Sequence, residues 1–282
     1  MDKSILSKFN GKPLIEIPAF IPTIGFLEGD FGKEILGEYQ ERVTKDYGKA
    51  SALNVLSYGD GVVKGSNPFA VVLMNRIANQ SGLRVANQAD LELAIKANAL
   101  ALRGQYEDTG LVLRSEDEPN LYLAGKLMQQ IRTRNPNAKM PAMIQLSDLE
   151  LVTDSSSPHQ LAFKIKDDAE ISYDLSVLNK DGSFSSEDID KKTGLPTKTG
   201  SNGNRNLYTR NSGLSRLVLG RDLGLDSRSD GLAYSVGDGR VVLVSAEGTA
   251  QNYLAILQKE ADKQKAVIDD KLRRAQAVMK GE

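Results

Sequence analysis

Apolar residues in the first fifty positions come in short runs broken by Pro and Gly, as in PLIEIPAFIPTIGFLEG. Prolines at 13, 18 and 22 forbid a long helix there. The pattern predicts an arm (1–50) laid on a core, ending in a short amphipathic helix over 35–45. NVLSY at 54–58 reads as a strand running into the turn Gly59-Asp60-Gly61. Asn67 and Pro68 open a helix to about 78, with Asn as cap and Pro in the first turn. The clearest helix follows. Asn87 caps it, Asp90 and Glu92 sit near its positive end, and Leu91, Ala94, Ile95 and Leu102 form the buried stripe. Another helix spans 121–134 and stops before Asn135-Pro136.

Beyond Met140 the period shortens. AMIQL, LELVT, LAFKI and ISYDL read as strands separated by turns. A polar stretch, 179–206, has the composition of a long loop, and loops of that length inside a domain are usually functional or mobile. RVVLVSA, at 240–246, is β-branched enough for a buried strand. The charged stretch 249–280 is expected to be a helix docked on the domain or on a second subunit. The elements define an α+β chain: an arm (1–50), a main domain (51–248) and a terminal helix (249–282).

Composition changes the picture in one place. Lys, Glu, Gln and Met are absent from 199 to 246, although they supply 54 of the 282 residues. Within 206–246 only ten residue types occur, and Leu recurs at 214, 217, 219, 223, 225 and 232. The leucines read as scaffold and the residues between them as a displayed set. The chain as a whole is ordinary, with 26% charged residues and a formal charge of −1. No global field draws it to nucleic acid or a membrane. Six of fifteen Arg lie between 205 and 240, but Asp222, Asp226, Asp230 and Asp238 offset them, which disfavours a polyanion groove. No apolar run is long enough to span a bilayer and no secretory signal opens the chain, so the default expectation is cytoplasmic.

Catalytic chemistry is hard to build from these residues. There is no Cys, and His159 is the single His, expected in a plain loop after Ser155-Ser156-Ser157-Pro158. Glu118-Pro119-Asn120 is a tripeptide with which some lectins hold calcium, yet here it precedes a helix that Asn120 would cap. The clusters Asp167-Asp168-Glu170 and Asp188-Ile189-Asp190 lack EF-hand spacing and read as solvated faces. The expectation is a non-enzyme with no cofactor and no metal. The rival readings are a hydrolase or transferase using carboxylates of the Asp-rich loops, and a structural or virion component assembled through the terminal helix.

The leucine ladder with its interleaved residues, GLSRLVLGRDLGLDSRSDGLAYSVGDGRVVLVSAEG, resembles the variable proteins of diversity-generating retroelements, archaeal ones in particular. In that family a reverse transcriptase miscopies template adenines, and the altered copy replaces the variable region at the gene's 3′ end. Targeted Asn codons become codons ending in C or T, which exclude Lys, Glu, Gln, Met and Trp. The resemblance implies that Ser215, Val218, Gly220, Arg221, Asp222, Gly224, Asp226, Arg228, Ser229, Asp230, Gly231, Tyr234, Val236, Gly237 and Asp238 form a ligand-binding surface. Leu217, Leu219, Leu223, Leu225, Leu232 and 241–244 would be the buried frame beneath it. Upstream, LRVANQADLELA at 83–94 is similar to the R-L-P-T-x-x-E-W-E-x-A segment of formylglycine-generating-enzyme-like C-type-lectin folds, with Ala86 and Leu91 in place of its Pro and Trp. The resemblance implies a C-type-lectin-like fold with short antiparallel strands, two or three helices and long loops. Its partner would be a protein or surface ligand specific to each variant, with Tyr234 and the arginines as anchors.

Overall fold

The protein, seen as a computed structural model, is described over residues 24–48 and 50–245. Its elements in chain order are β1 (Ile24–Phe26), α1 (Gly29–Asp46), β2 (Ser57–Gly59), β3 (Val62–Lys64), α2 (Pro68–Ala78), β4 (Leu83–Val85), α3 (Gln88–Ala97) and β5 (Tyr106–Leu113). They continue with α4 (Leu121–Arg134), β6 (Ala142–Gln145), β7 (Leu149–Thr153), β8 (Leu161–Ile165), β9 (Gly182–Phe184), β10 (Arg205–Tyr208), β11 (Leu214–Leu219), β12 (Leu225–Asp226), β13 (Gly239–Arg240) and β14 (Val242–Ser245). The chain is a mixed α and β protein.

Helix α1 is longer than the 35–45 expected. Ile35, Leu36, Tyr39 and Val43 recur at helical spacing and are buried, and the Tyr39 hydroxyl donates to Leu53 O at 2.7 Å. So positions 29–46 of the expected arm are a packed helix. Its three prolines lie outside the described residues, as does the helix expected over 249–280. Helix α2 is buried nearly all round and starts as anticipated, the Asn67 side chain accepting from Ala70 N at 2.8 Å. Asn87 and Asp90 close a capping box on α3, which ends at Asn98 in the left-handed region, so Leu102 is buried from the following loop and not from the helix. Helix α4 runs over the span the sequence indicated.

The main sheet has the order β13-β5-β11-β12-β10-β9, with β6 pairing along the far half of β5. A second, antiparallel sheet is β1-β14-β4, and β2-β3 and β7-β8 are hairpins. Strands β5 and β11 run through the middle of the main sheet, antiparallel, with a bulge between Leu217 and Val218. One apolar cluster takes Leu111, Leu113, Leu214 and Leu232 with α1, α2 and α4; the other takes Val112, Leu217, Leu219 and Leu225 with α3. Both faces are therefore covered, and every residue of β5 and β11 is buried.

Three local expectations change. Strand β5 goes unannounced because Glu107-Asp108-Thr109 breaks its apolar pattern. Positions 54–58 hold a turn and only the start of β2, after a short 3-10 helix at Ser51–Leu53. ISYDL contributes a single bridge, Ser172 to Met143, and no strand. The polar stretch 179–206 is pinned: Asp190 Oδ1 accepts from Lys192 N, Thr193 N and Thr193 Oγ1, and Leu195 is buried beneath it.

Candidate functional site

Between β11 and β14 the chain leaves the sheet in two loops, 220–224 and 227–238. Leu214, Leu217, Leu219, Leu225 and Leu232 are essentially inaccessible and Val241–Val244 are buried, so the frame expected from the leucine spacing is largely present. Burying each such side chain contributes roughly 1.5–3 kcal/mol. Leu223 departs from it. It is half-buried at the corner of a tight turn with φ of 69°, where Leu223 N donates to Gly220 O and Gly220 N to Gly224 O.

Of the fifteen candidate positions, Arg221, Asp222, Arg228, Asp230, Tyr234 and Gly237 are exposed. Gly220, Asp226, Ser229, Gly231, Val236 and Asp238 are half-buried beside them. Tyr234 is 62% exposed. The charges pair within the surface: Arg221 with Asp238, Arg228 with Asp226 at 2.9 Å, and Arg210 with Asp230 at 3.5 Å. The Arg228 guanidinium also lies 4.1 Å from the Tyr208 ring centre. The partner hydrogen bonds and charge hold the Arg221 and Arg228 pKa values above the ordinary guanidinium range.

Ser215, Val218 and Gly224 do not belong to this surface. Placing every residue between the leucines outward requires one open face, and β11 has none. Ser215 Oγ donates to Ser227 O at 2.7 Å and accepts from Arg114 Nη1 at 2.8 Å. Arg114, which also bonds Leu178 O and Ser227 Oγ, is pushed down to about 10 by burial and by the charge of Arg210. Gly224 is buried where a Cβ would stand 3.0 Å from both Asn206 O and the Asp222 carboxylate. No such crowding surrounds Gly237.

The residues that hold the loop in place were not legible as a site. Arg216 on β11 and Asp108 on β5 form a bidentate pair, 3% and 0% exposed. Burial works against the arginine's charge, but Asp108 outweighs it and keeps the Arg216 pKa above its usual value. Arg216 Nη1 also donates to Tyr234 O at 2.8 Å and to Gly231 O at 3.3 Å. Ser66 Oγ donates to Asp108 Oδ2 at 2.7 Å, and the Tyr106 hydroxyl accepts from Val236 N at 3.0 Å. Thus 231–236 is fastened from below through its backbone, leaving the Tyr234 side chain to solvent. The one signal in the sequence is the polar interruption of β5.

Glu118-Pro119-Asn120 is also put to a different use. Asn120 occupies the cap position of α4 at φ of 63°, yet its side chain makes no capping bond. It donates instead to Leu214 O at 2.8 Å and Asp230 O at 2.9 Å, tying the helix start to the loop surface. His159 sits in its loop with its ring 5.2 Å from Phe69. Among the described residues no cluster of His, Cys, Asp and Glu could hold a metal ion, and no helix is long and apolar enough to cross a membrane. Neither protein-family models, nor curated proteins, nor solved structures contain a match to the chain.

Proposed function

We propose that this chain is a receptor-type, protein-binding module with a C-type-lectin-like fold, whose 220–238 loops a retroelement diversifies to change binding specificity. The observation that carries the reading is a coincidence of composition with position. The window lacking Lys, Glu, Gln and Met supplies a leucine frame and, between its members, twelve candidate positions with solvent access, nine of them bearing side chains. Fixed burial below and free side chains above let sequence change at little cost, since surface substitutions usually stay within about 0.5 kcal/mol. The fold reading is supported at 83–94. Arg84 and Asp90 are bonded to one another, and Asn87 caps with Asp90, at the positions of Arg, Glu and Thr in the similar segment.

The carboxylate-enzyme reading is weakened by geometry. The acids of the Asp-rich loops are taken up in ion pairs, Asp167 with Arg134, Glu170 with Lys192, Asp188 with Lys198, Asp226 with Arg228 and Asp238 with Arg221. An assembly role for 249–280 falls on residues outside those described. The test is the DNA beside the gene. We expect a reverse transcriptase and an imperfect repeat of 206–246 that differs at template adenines. Flanking DNA without either would overturn the family reading.

A further inference from the structure

We propose that a cleft at the start of α4 takes a Lys or Arg side chain from the protein seated on the 220–238 loops, an inference that rests on the binding-surface reading above. The cleft holds about 300 Å³ and is lined by Leu121, Tyr122, Leu123, Pro158 and His159, with the exposed Glu118 at its edge. Leu121 is 52% exposed. Desolvation lowers the His159 pKa, so its ring presents an uncharged, apolar face at neutral pH.

Charge at the rim selects the occupant. Glu116 is paired with Arg132, while Asp154 has both Lys126 and the Tyr122 hydroxyl. Glu118 is exposed and, among the described residues, has no ion-pair partner. An anion would be repelled by it, whereas a cation would gain a charge-assisted contact there. A methylene stem ending in a cation satisfies both parts, as Lys and Arg do when the stem lies on apolar surface and the charge reaches outward.

The cleft is built into the same block as the candidate loops. Besides the Asn120 bonds to Leu214 and Asp230, Ser212 Oγ donates to Glu118 O at 2.9 Å, and Leu214 N donates to Pro119 O at 3.0 Å. Asp230, whose carbonyl accepts from Asn120, is thus one residue removed from the exposed Leu121, within reach of the same partner. None of the cleft residues belongs to the fifteen candidate positions, so the cleft supplies a constant anchor beside a changeable surface.

The test is an NMR titration of the full ¹⁵N-labelled chain with Nα-acetyl-lysine methylamide, compared with the norleucine and glutamate analogues. The lysine probe should give saturable shifts at the Leu121 and His159 amides. Binding should weaken about two- to fivefold in E118Q and for norleucine, the range expected of one exposed ion pair. Absence of saturable shifts, or equal binding of lysine and norleucine, would overturn the proposal. Failure of the cleft would leave the loop-surface reading standing, and that reading fails separately on the flanking DNA.

Discussion

The Arg216 guanidinium rests against the Asp108 carboxylate in the middle of the main sheet, and through that pair the sheet holds the backbone of Tyr234. A buried pair contributes little net stability when compared with apolar residues, but removing one member strands the other charge. Asp108→Asn is therefore expected to cost about 3–5 kcal/mol. Arg216→Met combined with Asp108→Leu should cost clearly less than the sum of the two single changes. Urea unfolding followed by circular dichroism measures both, and a single-variant cost below about 1 kcal/mol would contradict the pairing.

Glu107 faces the other side of the sheet with no hydrogen-bond partner for either carboxylate oxygen. Burial, helped by the Asp108 charge and opposed by Arg240, raises it from 4.5 to about 8. The folded state therefore binds a proton that the unfolded state releases. Its contribution is complete below about pH 4.5 and is lost as pH rises to about 8, at roughly 1.4 kcal/mol for each pH unit between those values. Glu107→Gln should flatten that fall and exceed the parent in stability at pH 8. If parent and variant lose stability in parallel over this window, the carboxyl is not held protonated.

Much of the frame was legible. The α4 boundaries, the Asn67 and Asn87 caps and the burial of Leu217, Leu219 and Leu225 follow from local signals that tertiary context did not override. What stayed hidden depends on non-local pairing. A lone Asp in a polar-looking strand acquires meaning only when Arg216, 108 residues away, reaches it. Likewise, alternation along β11 cannot reveal that a second layer covers its other face, which is why Ser215 and Val218 read as outward. Asn120 reads as a cap from its local position, whereas its bonds cross to Leu214 and Asp230.

Two glycines separate cost from tolerance. Gly224→Ala places a methyl 3.0 Å from the Asn206 carbonyl and should destabilise by about 1–3 kcal/mol. Gly237→Ala meets nothing within 4 Å and should stay within about 0.5 kcal/mol. Thermal midpoints of the two variants, measured side by side, decide the matter. Equal shifts would mean that the 220–224 turn yields more easily than its crowding implies.

Natural variation would read the same geometry on a larger scale. If adenine-directed copying acts on 206–246, alleles should differ chiefly at the solvent-exposed positions Arg221, Asp222, Arg228, Asp230, Tyr234 and Gly237. Ser215 should not vary among recovered functional alleles, because any larger residue displaces the Arg114 guanidinium from its hydroxyl partner in a closed interior. Leaving that buried donor without an acceptor costs about 1–3 kcal/mol, a large part of a domain's net stability. A yeast-display library randomised at all fifteen positions and sorted only for folded expression provides the measurement. Retained diversity at the six exposed positions with Ser, Val and Gly recovered at 215, 218 and 224 is the expected outcome. Equal diversity at both groups would remove the distinction between displayed and structural residues in this segment.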